Sequence, residues 1–143
     1  MSPASVVVDT NVALDMLVFD DPSARPLNAQ LECGGLRWIA TPAMREEFER
    51  VLAYEHIAAR LLARGLLATK VLQAFDGFAT QVDAAPRAAL TCRDPDDQKF
   101  IDLAIQHRCM LLSKDAAVLS LKKRLAALDV NAVAVLPAAP AGA

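Results

Sequence analysis

The groups in this sequence best placed to do chemistry are carboxylates. Of its 143 residues, 17 are Asp or Glu, and four of them stand where one expected element gives way to the next: Asp9, Glu47, Asp97 and Asp115. Carboxylates gathered in one place repel and raise one another's pKa unless a cation neutralises them. An all-oxygen set without His or Cys favours Mg²⁺ or Mn²⁺ over zinc. Such ions polarise a phosphoryl oxygen, lower the pKa of bound water and neutralise a leaving oxygen, so metal-assisted phosphodiester hydrolysis is the reaction class indicated.

Other chemistries lack their parts. The sequence contains no G-x-G-x-x-G, G-x-x-x-x-G-K-[ST] or G-x-S-x-G. Its five glycines, at 34, 35, 65, 77 and 142, offer no phosphate-cradling loop. His56 and His107 have no ligand-spaced partner. Cys33, Cys92 and Cys109 are an odd number at wide spacings, so they form neither a zinc set nor a disulfide framework. Reduced and mostly buried thiols are the expectation for them.

The elements that must position the four acids follow from patterning. Ser5 to Val8 is a short β-branched run, as in a strand buried on both faces of a parallel sheet. Asp9-Thr10-Asn11 caps the helix that begins at Val12. Ala24 to Leu31 is a second helical stretch ended by Gly34-Gly35, and Leu36 to Ala40 a second strand. Thr41-Pro42 supplies an N-cap and a first-position proline. The helical pattern then runs from Ala43 to Leu72 with one break, at Gly65. Thr80 to Asp83 is a weak third strand, and Asp94-Pro95-Asp96-Asp97 opens a helix to about His107. Strands are expected at Cys109 to Ser113 and Asn131 to Leu136, with helix up to Leu128 between them. Strands alternating with helices imply an α/β sandwich around a mainly parallel sheet. In such a sheet the carboxyl ends of the strands share one edge, where ligands bind and all four acids can converge.

Helical phase sharpens two choices. At about 100° per residue, Met44, Phe48, Val51 and Leu52 form an apolar stripe with Glu47 on its edge, while Glu46 and Glu49 point away. On the following acid-led helix Phe100, Ile101 and Ala104 form the stripe. Asp97 falls within it, Asp102 faces out and Asp96 lies well off it. A core-facing carboxylate is costly unless paired, hydrogen-bonded or metal-bound, which singles out Glu47 and Asp97. Asp94 and Asp96 are close rivals to Asp97, and Asp15, one turn after Asn11, is a further candidate. Each acid alone has a plain alternative: Asp9 and Asp115 as helix caps, Asp97 as a dipole-favoured helix start, Glu47 as the partner of a nearby Arg. Their conjunction favours a site.

Composition sets the frame. A chain of this length suits one domain, and the span 1–136 is expected to form it, with 137–143 (PAAPAGA) as a mobile tail. The net charge of −2 does not by itself indicate a nucleic-acid binder. With four acids assigned to a metal, however, the remaining 13 face 15 basic residues and leave +2. Lys122-Lys123-Arg124 is read as a solvated helix face. No apolar run approaches the roughly 20 residues of a membrane span, and the N-terminus lacks the pattern of a signal peptide, so a cytoplasmic, non-membrane protein is expected.

At the residues just described the sequence resembles a PIN domain, the nuclease fold found in toxins of bacterial toxin–antitoxin pairs. Val7-Val8-Asp9-Thr10-Asn11-Val12 resembles the first family motif. The stretch Thr41 to Leu52 resembles the second, with its acid at Glu47. Cys92 to Ile101 resembles the third as written in the toxin-component branch, and Leu112-Ser113-Lys114-Asp115 the fourth, with Ser113 where Thr is usual. The resemblance implies a three-layer α/β/α sandwich with a central, mainly parallel sheet of four to five strands. It implies divalent-metal-dependent ribonuclease activity, with Mg²⁺ or Mn²⁺ held by Asp9, Glu47, Asp97 and Asp115. Asn11 and Ser113 are then polar supports that orient carboxylates or waters. A cognate antitoxin is the implied protein partner, and homodimerisation is implied by the family alone.

Arg45, Arg93, Lys99 and Lys114 are the basic residues nearest the expected sheet edge, and so the candidates for RNA-backbone contact. Two other readings compete with a nuclease. One is a PIN-like module that has lost catalysis and serves only protein association. The other is a phosphorylatable receiver-like domain, for which only Asp83 offers an acceptor.

Overall fold

The structure is a computed structural model and describes residues 3–137. Of the expected tail, residues 138–143 lie outside the described residues. Among the described residues five strands form one parallel sheet: β1 (Ala4–Val8), β2 (Leu36–Ala40), β3 (Ala79–Gln81), β4 (Met110–Leu112) and β5 (Ala132–Val133), in the spatial order β3-β2-β1-β4-β5. β1 is the central strand, which explains why Val6, Val7 and Val8 are all buried rather than alternating.

Helices α1 (Thr10–Leu17) and α2 (Arg25–Glu32) link β1 to β2. Helices α3 (Pro42–Leu52), α4 (Glu55–Ala63) and α5 (Ala68–Phe78) link β2 to β3. α6 (Gln98–His107) leads into β4, and α7 (Ala116–Leu119) with α8 (Lys122–Ala126) into β5. Right-handed crossovers put α1 to α5 on one face of the sheet and α6 to α8 on the other, giving three layers. The first face is closed by an aromatic cluster: Phe75 on α5 lies edge-on to Trp38 of β2 at 4.6 Å and beside Phe48 of α3 at 4.9 Å. Each of the two phenylalanines contributes roughly 1.5–3 kcal/mol by its burial.

From β1 the chain winds first toward β2 and β3, then returns to build β4 and β5 on the other side. The reversal falls between β1 and β4, and their register sets Val8 beside Leu112. At this switch point an open parallel sheet leaves a crevice outside its carboxyl ends. Asp9 follows β1 there, and Ser113 to Asp115 follow β4.

The fold class agrees with the sequence reading, and the differences are local. The helical run 43–72 is three helices in part, not two. Its break at Gly65 is a left-handed closure (φ +66) in which the Leu66 N–H donates to Leu61 O and the Gly65 N–H to Leu62 O. An additional break at Ala53-Tyr54 carries no Gly or Pro. Its trace in the sequence is a slip of phase: α3 buries Met44, Phe48 and Leu52 at intervals of four, whereas the next buried residue, Ile57, comes five later. The stretch 116–128 likewise divides into two short helices. The last strand spans only Ala132–Val133 because β4 offers it just Leu111 and Leu112 as partners. Cys92 is buried and Cys109 half-buried, but Cys33 is exposed, since it ends the short α2 ahead of the Gly34-Gly35 turn. Among the described residues no helix is long and apolar enough to cross a membrane.

Candidate metal centre

Three elements deliver acids to the crevice. β1 ends at Asp9, which is buried and occupies the N-cap of α1 without using its side chain as a cap. Its Oδ2 instead accepts a hydrogen bond of 2.6 Å from Ser113 Oγ. That same Oγ, fully buried, accepts the Asp115 N–H at 3.1 Å, so one hydroxyl ties the acids of β1 and β4 together. Asp115 does cap α7, its Oδ1 accepting the Ala117 N–H at 2.8 Å.

The third element is the start of α6. Asp94 opens a single 3₁₀ turn, Pro95–Asp97, by accepting the Asp96 N–H on its side chain at 3.0 Å. The turn carries Asp97 inward, where it is only 6% exposed and its Oδ2 has no hydrogen-bond partner among the described residues. Carboxylate oxygens of Asp94, Asp97 and Asp115 lie within 4.8 Å of one another. Asp9 and Glu47 are not members of that closest group.

Electrostatics register the crowding. Burial, contact with Asp115 and the charges of Asp9, Asp115 and Asp94 push the Asp97 carboxyl up to about 8. Burial also raises Asp9, against the opposing pull of the Ser113 hydroxyl and the Asn11 backbone N–H, with the charges of Glu47 and Asp115 adding to the rise. A buried, unpartnered carboxylate oxygen facing two further acids is the arrangement that a divalent cation relieves, and the donor set is hard oxygen throughout. The residues therefore fit a divalent ion.

Glu47, on α3, is held differently. Thr10 Oγ1 donates to its Oε2 at 2.6 Å, and Lys99 Nζ lies 3.2 Å from its Oε1. Lys99 also donates to the Asp96 carbonyl at 2.7 Å and sits over the Phe100 ring. Its partner is a Lys, not the Arg expected on general grounds. Asn11 is exposed, and its side-chain amide makes no hydrogen bond among the described residues; its backbone N–H acts on Asp9 only by opposing the rise in its pKa.

The basic candidates separate as well. Arg45 is forked onto Asp76 by Nε (3.0 Å) and Nη2 (3.1 Å) and also reaches Glu49, beside a cavity of about 410 Å³ at the carboxyl ends of β2 and β3. That cavity lies to one side of the acidic group and includes none of its members. Lys114 pairs with Asp15, which is buried and thereby accounted for. Arg93 is exposed and forms no ion pair among the described residues.

One expectation is overturned. Asp102 does not face solvent; it is 8% exposed. The helical phase is as expected, but the connection from β3 to α6 folds over that side of the helix, where the Ala88 N–H donates to Asp102 Oδ1 at 2.9 Å. Thr10 and Gln98 are also parts of the local network that residue types alone did not single out. Thr10 had a signal in its place between Asp9 and Asn11; Gln98 had only its spacing of four from Asp102, because its other partners are backbone groups of an irregular segment.

A family model described as PIN domain matches residues 5–117, from β1 through the start of α7 and so across every acid named above. A search among curated proteins found no match to the chain.

Proposed function

Because this chain belongs to the PIN-domain family, whose members are generally nucleases, we propose that it is a divalent-metal-dependent endoribonuclease. Its role on this reading is that of the toxin of a toxin–antitoxin pair, in the cytoplasm, with a cognate antitoxin as protein partner. The observation that carries the reading is Asp97 Oδ2, buried and unpartnered beside Asp94 and Asp115.

Asp94, Asp97 and Asp115 would hold the ion, Mg²⁺ or Mn²⁺, with Asp9 at their side. When bound, such an ion polarises a phosphoryl oxygen and offsets the charge that develops during hydrolysis. The remaining work falls to the chain. Ser113 fixes the Asp9 carboxylate relative to Asp115, so that the acids of two strands keep one spacing. Thr10 and Lys99 hold Glu47 at the rim, where on this reading it would orient a water toward the crevice. Arg93, exposed and adjacent to Asp94, is the cation best placed to meet the RNA backbone, whereas Arg45 and Lys114 are already committed to acids.

The test is cleavage of single-stranded RNA in the presence of Mn²⁺. Asp9→Asn and Asp97→Asn are expected to lower the rate by about a hundredfold or more while the far-UV spectrum is kept. Unchanged cleavage in both variants would sink the proposal. Tight binding of a protein partner with no cleavage by the wild type would instead favour an association module without catalysis.

A further inference from the structure

Between β3 and the 3₁₀ turn at Pro95 the chain runs through residues 82–94 with no regular element. Structureless connections of this length are uncommon in a compact domain. This one lies over the core nonetheless: Cys92 is buried, and Val82, Ala85 and Leu90 pack against the apolar cluster. Backbone groups drawn into such a place need partners. Here the partners are two side chains of α6.

Gln98 Oε1 accepts the Cys92 N–H at 2.7 Å. Its Nε2 donates to Leu90 O at 2.9 Å and to Asp102 Oδ1 at 2.8 Å. Asp102 Oδ1 accepts the Ala88 N–H as well. The two side chains are one helical turn apart and 9% and 8% exposed. Among the described residues no Lys or Arg pairs with Asp102. Packing alone does not call for a buried carboxylate at this position, where an apolar side chain would avoid the desolvation cost.

The orientation of the Gln98 amide explains it. A side-chain amide has an oxygen end and a nitrogen end, and the flipped form would set N–H against the Cys92 N–H and oxygen against Leu90 O. Asp102 Oδ1 accepts from both the Ala88 N–H and Gln98 Nε2, so it favours the form in which Nε2 turns toward it. Cys92 is two residues from Asp94, and each residue spans at most about 3.8 Å, so the anchored amide closely limits where Asp94 can go.

We infer that Gln98 and Asp102 are positioning residues: a buried amide–carboxylate clamp that fastens the 82–94 connection to α6 and holds Asp94 beside Asp97 and Asp115. That the clamp serves an ion site rests on the reading given above; that it holds the connection does not.

Two measurements on the full chain separate these statements: hydrogen exchange of the Ala88 and Cys92 amides, and calorimetric titration with Mn²⁺. Gln98→Glu, nearly isosteric, cannot donate to Leu90 O and repels Asp102. Asp102→Leu removes the acceptor, and Asp102→Asn retains one. In Gln98→Glu and Asp102→Leu both amides exchange at least about tenfold faster, and Mn²⁺ affinity falls on the order of tenfold to a hundredfold. Asp102→Asn returns both readouts to within a few-fold of the wild type, which a general loss of packing would not do. If Asp102→Leu fails to fold, the comparison of Gln98→Glu with Asp102→Asn carries the test.

Unchanged exchange in a folded Gln98→Glu overturns the clamp. Faster exchange with unchanged Mn²⁺ affinity overturns its link to the site. A wild type that binds no Mn²⁺, with exchange still accelerated in the variants, overturns the metal reading and leaves the clamp standing.

Discussion

Ser113 Oγ donates to Asp9 Oδ2 at 2.6 Å across 104 positions of sequence, and this bond joins the ends of the two parallel strands between which the winding of the chain reverses. The register that pairs Val8 with Leu112 brings the next residue of each strand together. The Ser113 hydroxyl that does this is fully buried.

Ser113→Ala is therefore expected to leave a buried carboxylate short of a donor. A loss of about 1–3 kcal/mol follows, read as a lower urea midpoint with an unchanged m-value. A variant as stable as the wild type would show that Asp9 finds another donor.

The metal-free protein should lose stability as pH rises. Asp97 holds its proton up to about pH 8 in the folded chain, against an ordinary value of 3.8. Between those values the folded state binds more protons than the unfolded one, so stability declines with increasing pH and levels off above about 8. Asp9, also raised, acts in the same direction. Melting temperatures in EDTA from pH 5 to 9 should fall more steeply for the wild type than for Asp97→Asn, whose amide does not titrate. Parallel profiles would contradict this. Added Mn²⁺ should stabilise increasingly over the same range, because it binds the ionised acids.

Glu47 and Lys99 should behave as a pair. In a double-mutant cycle of Glu47→Gln and Lys99→Met, measured by chemical unfolding, the coupling should be favourable. At a half-buried rim, screened by solvent, it should stay within about 1 kcal/mol. Strict additivity would mean that Lys99 and Glu47 do not pair in solution.

Arg93 should contribute a sequence-independent phosphate contact. Arg93→Ala is expected to weaken RNA binding uniformly and to reduce the slope of log affinity against log salt by about 1, whereas Lys114→Ala should leave that slope alone. Equal slopes for Arg93→Ala and the wild type would remove Arg93 from the interface.

How far the sequence reached follows from the kind of signal each residue carries. The central strand announced itself through three consecutive valines, and the second through Leu36 to Ala40, whose bounds agree with the structure. Asp97 was legible because helical phase turned it inward and burial is what phase reports. The same reasoning failed at Asp102, since phase locates a face of the helix but not the irregular segment that covers it. Asp94 is no more than a rival to Asp97 in the sequence, because a favourable N-cap already accounts for an Asp at that place. The division of basic residues into paired and free had no local signal: Arg45 meets Asp76 across 31 positions and Lys99 meets Glu47 across 52.

Calorimetric titration of Mn²⁺ into the wild type and Asp97→Asn examines the acidic centre without knowledge of an RNA target. Saturable binding by the wild type that disappears in Asp97→Asn is the predicted result. Equal binding by both proteins, or none by either, would contradict a cation site built on Asp97.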